Sequence, residues 1–171
     1  MTAAPIIDTA RLRLRPHRVE DFGPYAALFA SERARFMGGP LSRRQAWQVF
    51  AADSGQWALM GFGAWGVEHR EDGVAVGQVA LNKPDHFPER ELGWLVFDGH
   101  EGRGYATKAA EAARDHAFGA LGFDTLVSYV SPENRRSVAL AERLGARPDA
   151  TADRPGPGDL VYRHPRPEAA A

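Results

Sequence analysis

Gly102-Arg103-Gly104-Tyr105-Ala106-Thr107 lies between an apolar run, Leu92-Gly93-Trp94-Leu95-Val96-Phe97, and an alanine-rich pattern over residues 108–121. The run reads as a buried strand and the pattern as a helix, so the six residues form a short loop that opens the helix. A helix start presents unpaired backbone N–H groups and the positive end of the macrodipole, which suits phosphate. Gly102 and Gly104 lack a Cβ, so the main chain can turn tightly there and approach a ligand closely. The expectation is a loop that holds the pyrophosphate of a cofactor.

Bulk properties narrow the field less. A length of 171 residues fits one domain, 1–171, with a real core. Apolar content of 44% and charged content of 25% are ordinary for a globular chain. A net charge of −1 gives no global field that would draw nucleic acid or an anionic membrane. Without cysteine there is no thiol nucleophile, zinc-thiolate site or disulfide frame. Met1-Thr2-Ala3-Ala4-Pro5-Ile6-Ile7 lacks the basic and apolar regions of a signal peptide, and no segment approaches membrane-spanning length. A cytoplasmic location is the expectation.

Working outward, strand and helix signals alternate. Arg11-Leu12-Arg13-Leu14-Arg15 reads as a half-exposed strand stopped by Pro16. Residues 20–36 place Phe22, Tyr25, Leu28 and Phe29 on one helical face, ended by Gly38-Gly39-Pro40. Ser42 caps the next helix with Gln45 at the capping-box position, and Trp47 and Phe50 are expected inward. Residues 57–68 and 74–81 read as strands of a hairpin turning at Glu71-Asp72-Gly73. A loop over 83–88, a strand over 91–97, the glycine loop and its helix follow. The remainder reads as a strand over 125–130, a helix over 135–144 closed by Gly145, and a strand over 159–163. Residues 165–171 are expected to fray.

Better-known motifs fail on spacing. Gly102-x-Gly104-x-x-Thr107 half resembles a dinucleotide fingerprint, but Asp98 to Glu101 separate it from its strand and the third glycine is missing. No Walker A lysine, zinc-protease histidine pair or Gly-x-Ser-x-Gly elbow is present, and the six histidines are scattered, so no metal site is expected.

Taken together, Glu91-Leu92-Gly93-Trp94, the glycine loop, Ala117-Phe118, Asn134-Arg135-Arg136-Ser137 and Glu142-Arg143-Leu144-Gly145-Ala146 resemble the GNAT N-acetyltransferase superfamily. The opening Arg11-Leu12-Arg13-Leu14-Arg15-Pro16 and a closing strand through Tyr162 resemble its RimJ/RimL-like branch. The resemblance implies an α/β (mixed α+β) fold, with a central, mostly antiparallel sheet whose strands splay apart between flanking helices. It also implies an acetyl-CoA-dependent enzyme. The backbone of Gly102, Arg103, Gly104, Tyr105, Ala106 and Thr107 would hold the diphosphate of coenzyme A; otherwise the glycines serve only a tight connection. The backbone of Leu95 and Val96 would pair with the pantetheine arm like an added strand. An N–H there would polarise the thioester carbonyl. Asn134 would hydrogen-bond the pantetheine, unless it only caps a helix.

Two positions depart from the family pattern. Glu101 stands where Gln or Arg is usual, removing a phosphate partner, and Ala141 stands where relatives carry the tyrosine that protonates the leaving thiolate. Ser137 is the substitute candidate for that acid. Glu91, on the strand face of Leu95, is the candidate base for an ammonium substrate, with His86 behind it. Both also suit purely structural roles. Direct attack in a ternary complex fits a chain with no cysteine for a covalent relay. The acceptor is a primary amine, from a protein N-terminus to a small molecule, seated near Phe36, Trp47, Trp57, His86 and Phe87. The net charge predicts no nucleic-acid or membrane partner, and a monomer or homodimer is the prior for assembly. The alternatives are a non-catalytic acyl-CoA-binding regulatory domain and a dinucleotide-binding domain.

Overall fold

A computed structural model describes residues 3–167. In chain order its elements are β1 (Ile7–Asp8), β2 (Leu12–Arg15), α1 (Phe22–Phe29), α2 (Arg43–Met60), β3 (Ala64–His69), β4 (Ala75–Asn82) and β5 (Glu91–Val96). They continue with α3 (Tyr105–Phe118), β6 (Val127–Val130), α4 (Arg135–Arg143), β7 (Arg147–Pro148) and β8 (Leu160–Arg163). Short 3-10 turns occupy Val19–Asp21 and Glu32–Met37.

Among the described residues, eight strands make one sheet in the order β1-β2-β3-β4-β5-β6-β8-β7. Every neighbouring pair is antiparallel except β5 and β6, which run parallel and share a single register pair, Glu91 with Val127. The expected α/β fold with a mostly antiparallel sheet and one splay is therefore what forms. Alternation along β4 shows how the faces divide. Val79 and Leu81 join the buried cluster around α3, with Leu12, Leu14, Trp65 and Leu92. Gln78 turns the other way and donates to Asp53 on α2. On that second face Phe22, Tyr25, Phe29, Phe50 and Phe97 pack together, with Leu95 beside them.

Several boundaries differ from the sequence expectation, each for a local reason. The helix expected over 20–36 ends at Phe29, because Ser31 is extended (φ −97, ψ 163) and its side chain accepts from Arg33 N–H to start a separate 3-10 turn. The strand expected from Trp57 begins only at Ala64. The capping box of Ser42 and Gln45 launches an eighteen-residue helix that continues until Gly61 adopts φ 75. Trp57 is consequently helical and buried, and Trp47, expected inward, is 45% exposed and meets Phe22 edge-on at 4.9 Å. The helix after the glycine loop spans Tyr105–Phe118 rather than 108–121, so the end of the loop motif is its first turn. Of the expected tail, residues 165–167 are placed, and Arg166 donates to Phe123 O at 2.8 Å. Residues 168–171, like Met1 and Thr2, lie outside the described residues. Among the described residues, no helix is long and apolar enough to cross a membrane.

Strand β2 is not half-exposed either. Arg15 is 3% exposed, and its guanidinium donates to both oxygens of Asp21 (2.8 and 2.9 Å) and to Glu68 (2.6 Å). Burial alone would raise the Asp21 carboxyl, but hydrogen bonds from Arg15, His17 and Arg18 N–H outweigh it and hold the group well below the usual carboxylate range. Removing one charge of such a pair strands the other away from water. Asp21→Asn should lose about 3–5 kcal/mol of stability in urea unfolding at pH 7. Because the folded pKa is depressed, the gap between the two proteins should narrow as pH falls below the ordinary aspartate value of 3.8.

Candidate active site

Two features of the main chain open onto one cleft of about 1100 Å³. The first is the glycine loop. Gly102 and Gly104 have φ values of 73 and 78, a region that side chains resist. Gly104 is the N-cap of α3 and supplies no side chain, and the first helical bond runs from Lys108 N–H to Gly104 O. The N–H groups of Tyr105, Ala106 and Thr107 therefore have no acceptor within the helix, and all three residues line the cleft. The exception within the motif is Arg103, which is not among the lining residues. Its guanidinium folds back toward Gly99 O, and its own carbonyl accepts from Arg11 at 2.7 Å.

The second feature is the fork between β5 and β6. Main-chain groups along β5 alternate in direction. The carbonyl of Leu95 points to Gly77 on β4, and Phe97 N–H donates to Val76 O on the same side. Val96 O faces the fork, where Arg33 donates to it at 3.0 Å. Of the two residues expected to offer backbone here, Val96 does so; Leu95 spends its carbonyl on β4 and offers the cleft only its surface. By the same alternation Trp94, which sequence reasoning passed over, turns its main chain into the fork.

The far wall is the start of α4. Asn134 Oδ1 accepts from Ser137 N–H at 3.3 Å, so Asn134 is the cap, while both it and Ser137 line the cleft. Arg143 reaches across from the same helix to Thr107 Oγ1 at 3.3 Å. Ala141 is wholly buried beside Tyr162, so the position of the missing tyrosine is part of the core. Glu101 lies 3.0 Å from Arg33, which also pairs with Asp98. In place of a basic side chain at 101, a guanidinium is thus delivered from the 3-10 turn. Nothing local in the sequence signals Arg33, since its partner Asp98 is 65 residues away.

Glu91 is not among the residues lining that cleft. It sits at the root of the fork on the α2 side, where Asn82 donates to it at 3.1 Å. Burial pushes its carboxyl up to about 7; Asn82 and the N–H of Tyr129 pull down, and Asp53 and Asp159 push further up. Asp53, from α2, is also raised by burial, to about 6, against the opposing effects of Gln78 and His17. Asp53 and Tyr129 were not foreseen: one reads as a surface helix residue, the other as a strand former. Of the expected aromatic wall, Phe87 packs between His86 and Tyr129 at 4.9 and 5.2 Å, and Phe36 lines the large cleft. Trp57 instead packs edge-on against Trp65 at 4.7 Å, and its indole N–H is spent on Ala64 O. Among the described residues, no three His, Asp or Glu side chains gather as a metal-binding group.

Comparisons with known proteins agree with this architecture. The family described as "Acetyltransferase (GNAT) domain" matches residues 11–147. The solved structure of an acetyltransferase from Agrobacterium tumefaciens superposes with a TM-score of 0.93 at 47% identity, over 97% of both chains. A spermidine N-acetyltransferase from Vibrio cholerae, solved with CoA and spermine, shares the fold (TM-score 0.71, 18% identity, 91% of this chain and 94% of that one). Among curated proteins, Escherichia coli spermidine N(1)-acetyltransferase is 32% identical over 75 residues, 43% of this chain and 40% of the relative. Bacillus subtilis YkkB is 29% identical over 87 residues, 50% of this chain and 51% of that protein. The chain spans about half the length of the curated relatives it matches, or less.

Glu91 offers a direct physical check. A carboxyl raised on folding binds protons more tightly in the native state, so it favours the native state at low pH and loses that contribution as pH rises from about 4.5 toward about 7. Glu91→Gln removes the ionisable group without changing its shape. It should be more stable than the wild type by about 1–2 kcal/mol at pH 8, the exposed part of the group discounting the full shift, and indistinguishable at pH 4, read from thermal melts.

Proposed function

This chain belongs to the GNAT acetyltransferase family, and on that premise we propose that it transfers the acetyl group of acetyl-CoA to a primary amine by direct attack in a ternary complex. The observation that carries the reading is the opening of the α3 N-terminus and the fork edge onto one cleft. The free amides at the start of α3 suit a diphosphate, and Arg33 and Arg143 add positive charge beside it. The exposed main chain of Trp94 and Val96 suits an extended arm bearing amides, with the Asn134 side-chain amide opposite. Acetyl-CoA would supply an activated acyl carbon. The protein's share is to hold that carbon in line with the nitrogen and to place an N–H of β5 at the carbonyl oxygen.

Glu91 is the proposed base. A primary amine arrives as an ammonium and must lose its proton, and a carboxyl near 7 takes one at neutral pH without holding it too tightly. Ser137 is the proposed donor to the departing sulfur, since Ala141 has no proton to give. The chain acts as one cytoplasmic domain of the RimJ/RimL-like branch. Two of the similar proteins are named as spermidine acetyltransferases, and the half-buried carboxyls of Asp53 and Glu91 favour a cationic acceptor, with a small polyamine ahead of a protein N-terminus.

Calorimetry with CoA, together with thiol release from acetyl-CoA over a panel of spermidine, short diamines and N-terminal peptides, tests the proposal. Tight CoA binding with no thiol released over the whole panel would leave a non-catalytic binder instead, and protection by NAD but not CoA would sink the assignment. Gly104→Val forces a β-branched residue to positive φ and should weaken CoA binding about tenfold or more. Glu91→Gln should lower kcat by about 10²-fold and flatten the rise of kcat/KM near pH 7.

A further inference from the structure

Where parallel strands part, the first rung lost must leave one N–H and one C=O without a partner. Here Val127 N–H still donates to Arg90 O, so continuing the ladder would send Tyr129 N–H to Leu92 O. Neither group follows that course. Leu92 O accepts instead from Ser128 Oγ at 2.5 Å, and the Tyr129 N–H is near enough to the Glu91 carboxyl to pull its pKa down. Ser128 is 2% exposed and 2.8 Å from His164 Nε2, which reaches it from the residue after β8. The serine has one proton and the carbonyl none, so that proton lies on the bond to Leu92. His164 Nε2 must then carry the N–H that donates to Ser128. The other ring nitrogen, Nδ1, is buried without a partner among the described residues; in this tautomer it carries no proton, so no donor is stranded there. Burial, helped by Arg114, lowers His164 to about 4 and keeps the ring uncharged at neutral pH.

We propose that Ser128 and His164 are positioning residues that keep the fork between β5 and β6 open for the cofactor arm. The histidine fixes the serine, the serine occupies the Leu92 carbonyl, and the ladder stops one rung in. The main chain of Trp94 and the N–H of Val96 are left for a ligand, while Val96 O already accepts from Arg33. The fork therefore stands open before any ligand arrives. This rests on reading the fork as the seat of that arm.

The test uses the full chain and reads the unliganded protein first. Ser128→Ala frees Leu92 O for Tyr129 N–H, and the next rung pairs Trp94 N–H with Tyr129 O. Exchange of the Trp94 amide should slow about tenfold or more, CoA affinity should fall about tenfold, and KM for the amine should stay within about twofold. Ser128→Thr keeps the hydroxyl and should keep wild-type Trp94 exchange and CoA affinity. Val161→Ala, a buried change on β8, should lower Tm while leaving both readouts alone. If Ser128→Ala does not fold, His164→Phe should move both readouts in the same direction by less. An unchanged Trp94 amide in Ser128→Ala, beside wild-type protein that binds CoA, would overturn the proposal. Wild-type protein indifferent to CoA would instead overturn the reading of the fork on which it rests.

Discussion

A β-sheet cannot open in its middle without stranding backbone hydrogen-bonding groups, and this sheet opens between β5 and β6 after one pair. The rest of the molecule is arranged around that cost. On the α3 side a buried serine and histidine take over the orphaned carbonyl of Leu92. On the α2 side the carboxyl of Glu91 faces the orphaned N–H of Tyr129. The proposed base is thus one of the groups that make the fork stable. Its lone pairs serve the strand as well as the chemistry, which explains why it sits at the root of the fork and not in the large cleft.

The sheet also separates charge. On the side of α3 and α4, free amides line the cleft together with Arg33, Arg35, Arg135, Arg136 and Arg143, which outnumber its three acids, Glu32, Glu101 and Glu133; Glu101 is held by Arg33. On the α2 side, Asp53 and Glu91 are half-buried with amide partners, Gln78 and Asn82, and desolvation pushes both up, against only His17 as an opposing charge at Asp53. An anion is favoured on the first side and a cation on the second, and the two meet only at the fork. A reaction that joins a phosphate-bearing acyl donor to an amine needs this division. A carrier that only bound the donor would have no use for the second half.

How much of this the sequence carried depended on whether a feature was local. The glycine loop, the capping box of Ser42 and Gln45 and the Asn134 cap are set by neighbours within a few positions, and they stand where the pattern puts them. The strand–helix–strand order from β5 through α3 to β6 was legible, and the parallel pairing that such a connection builds is what the structure adds. Trp57 misled because its propensity suits a strand, and only the continuing helix up to Gly61 decides otherwise. Arg33, Asp53 and His164 were invisible, since their partners lie far away in the chain. Arg15 looked like the exposed half of an alternating strand until Asp21 and Glu68 closed on it.

The same distinction explains why the donor half of the site could be named and the acceptor half only placed. In the proposed complex phosphate and pantetheine would be held by main chain, and main-chain geometry follows from glycines and strand register. The proposed amine would meet side chains from α2, β4, β5 and β6, and no short motif fixes their combination. One consequence constrains the chemistry. An ammonium drawn to Asp53 and Glu91 stabilises their ionised forms, so it lowers the pKa of the base that must relieve it of a proton. The ammonium has no lone pair, so one proton must leave it before attack; once the nitrogen has bonded to carbon it is acidic, and its second proton passes readily even to a carboxylate somewhat below 7. Binding and deprotonation can then share one pair of carboxylates, provided the acyl carbon is already in line when the amine arrives.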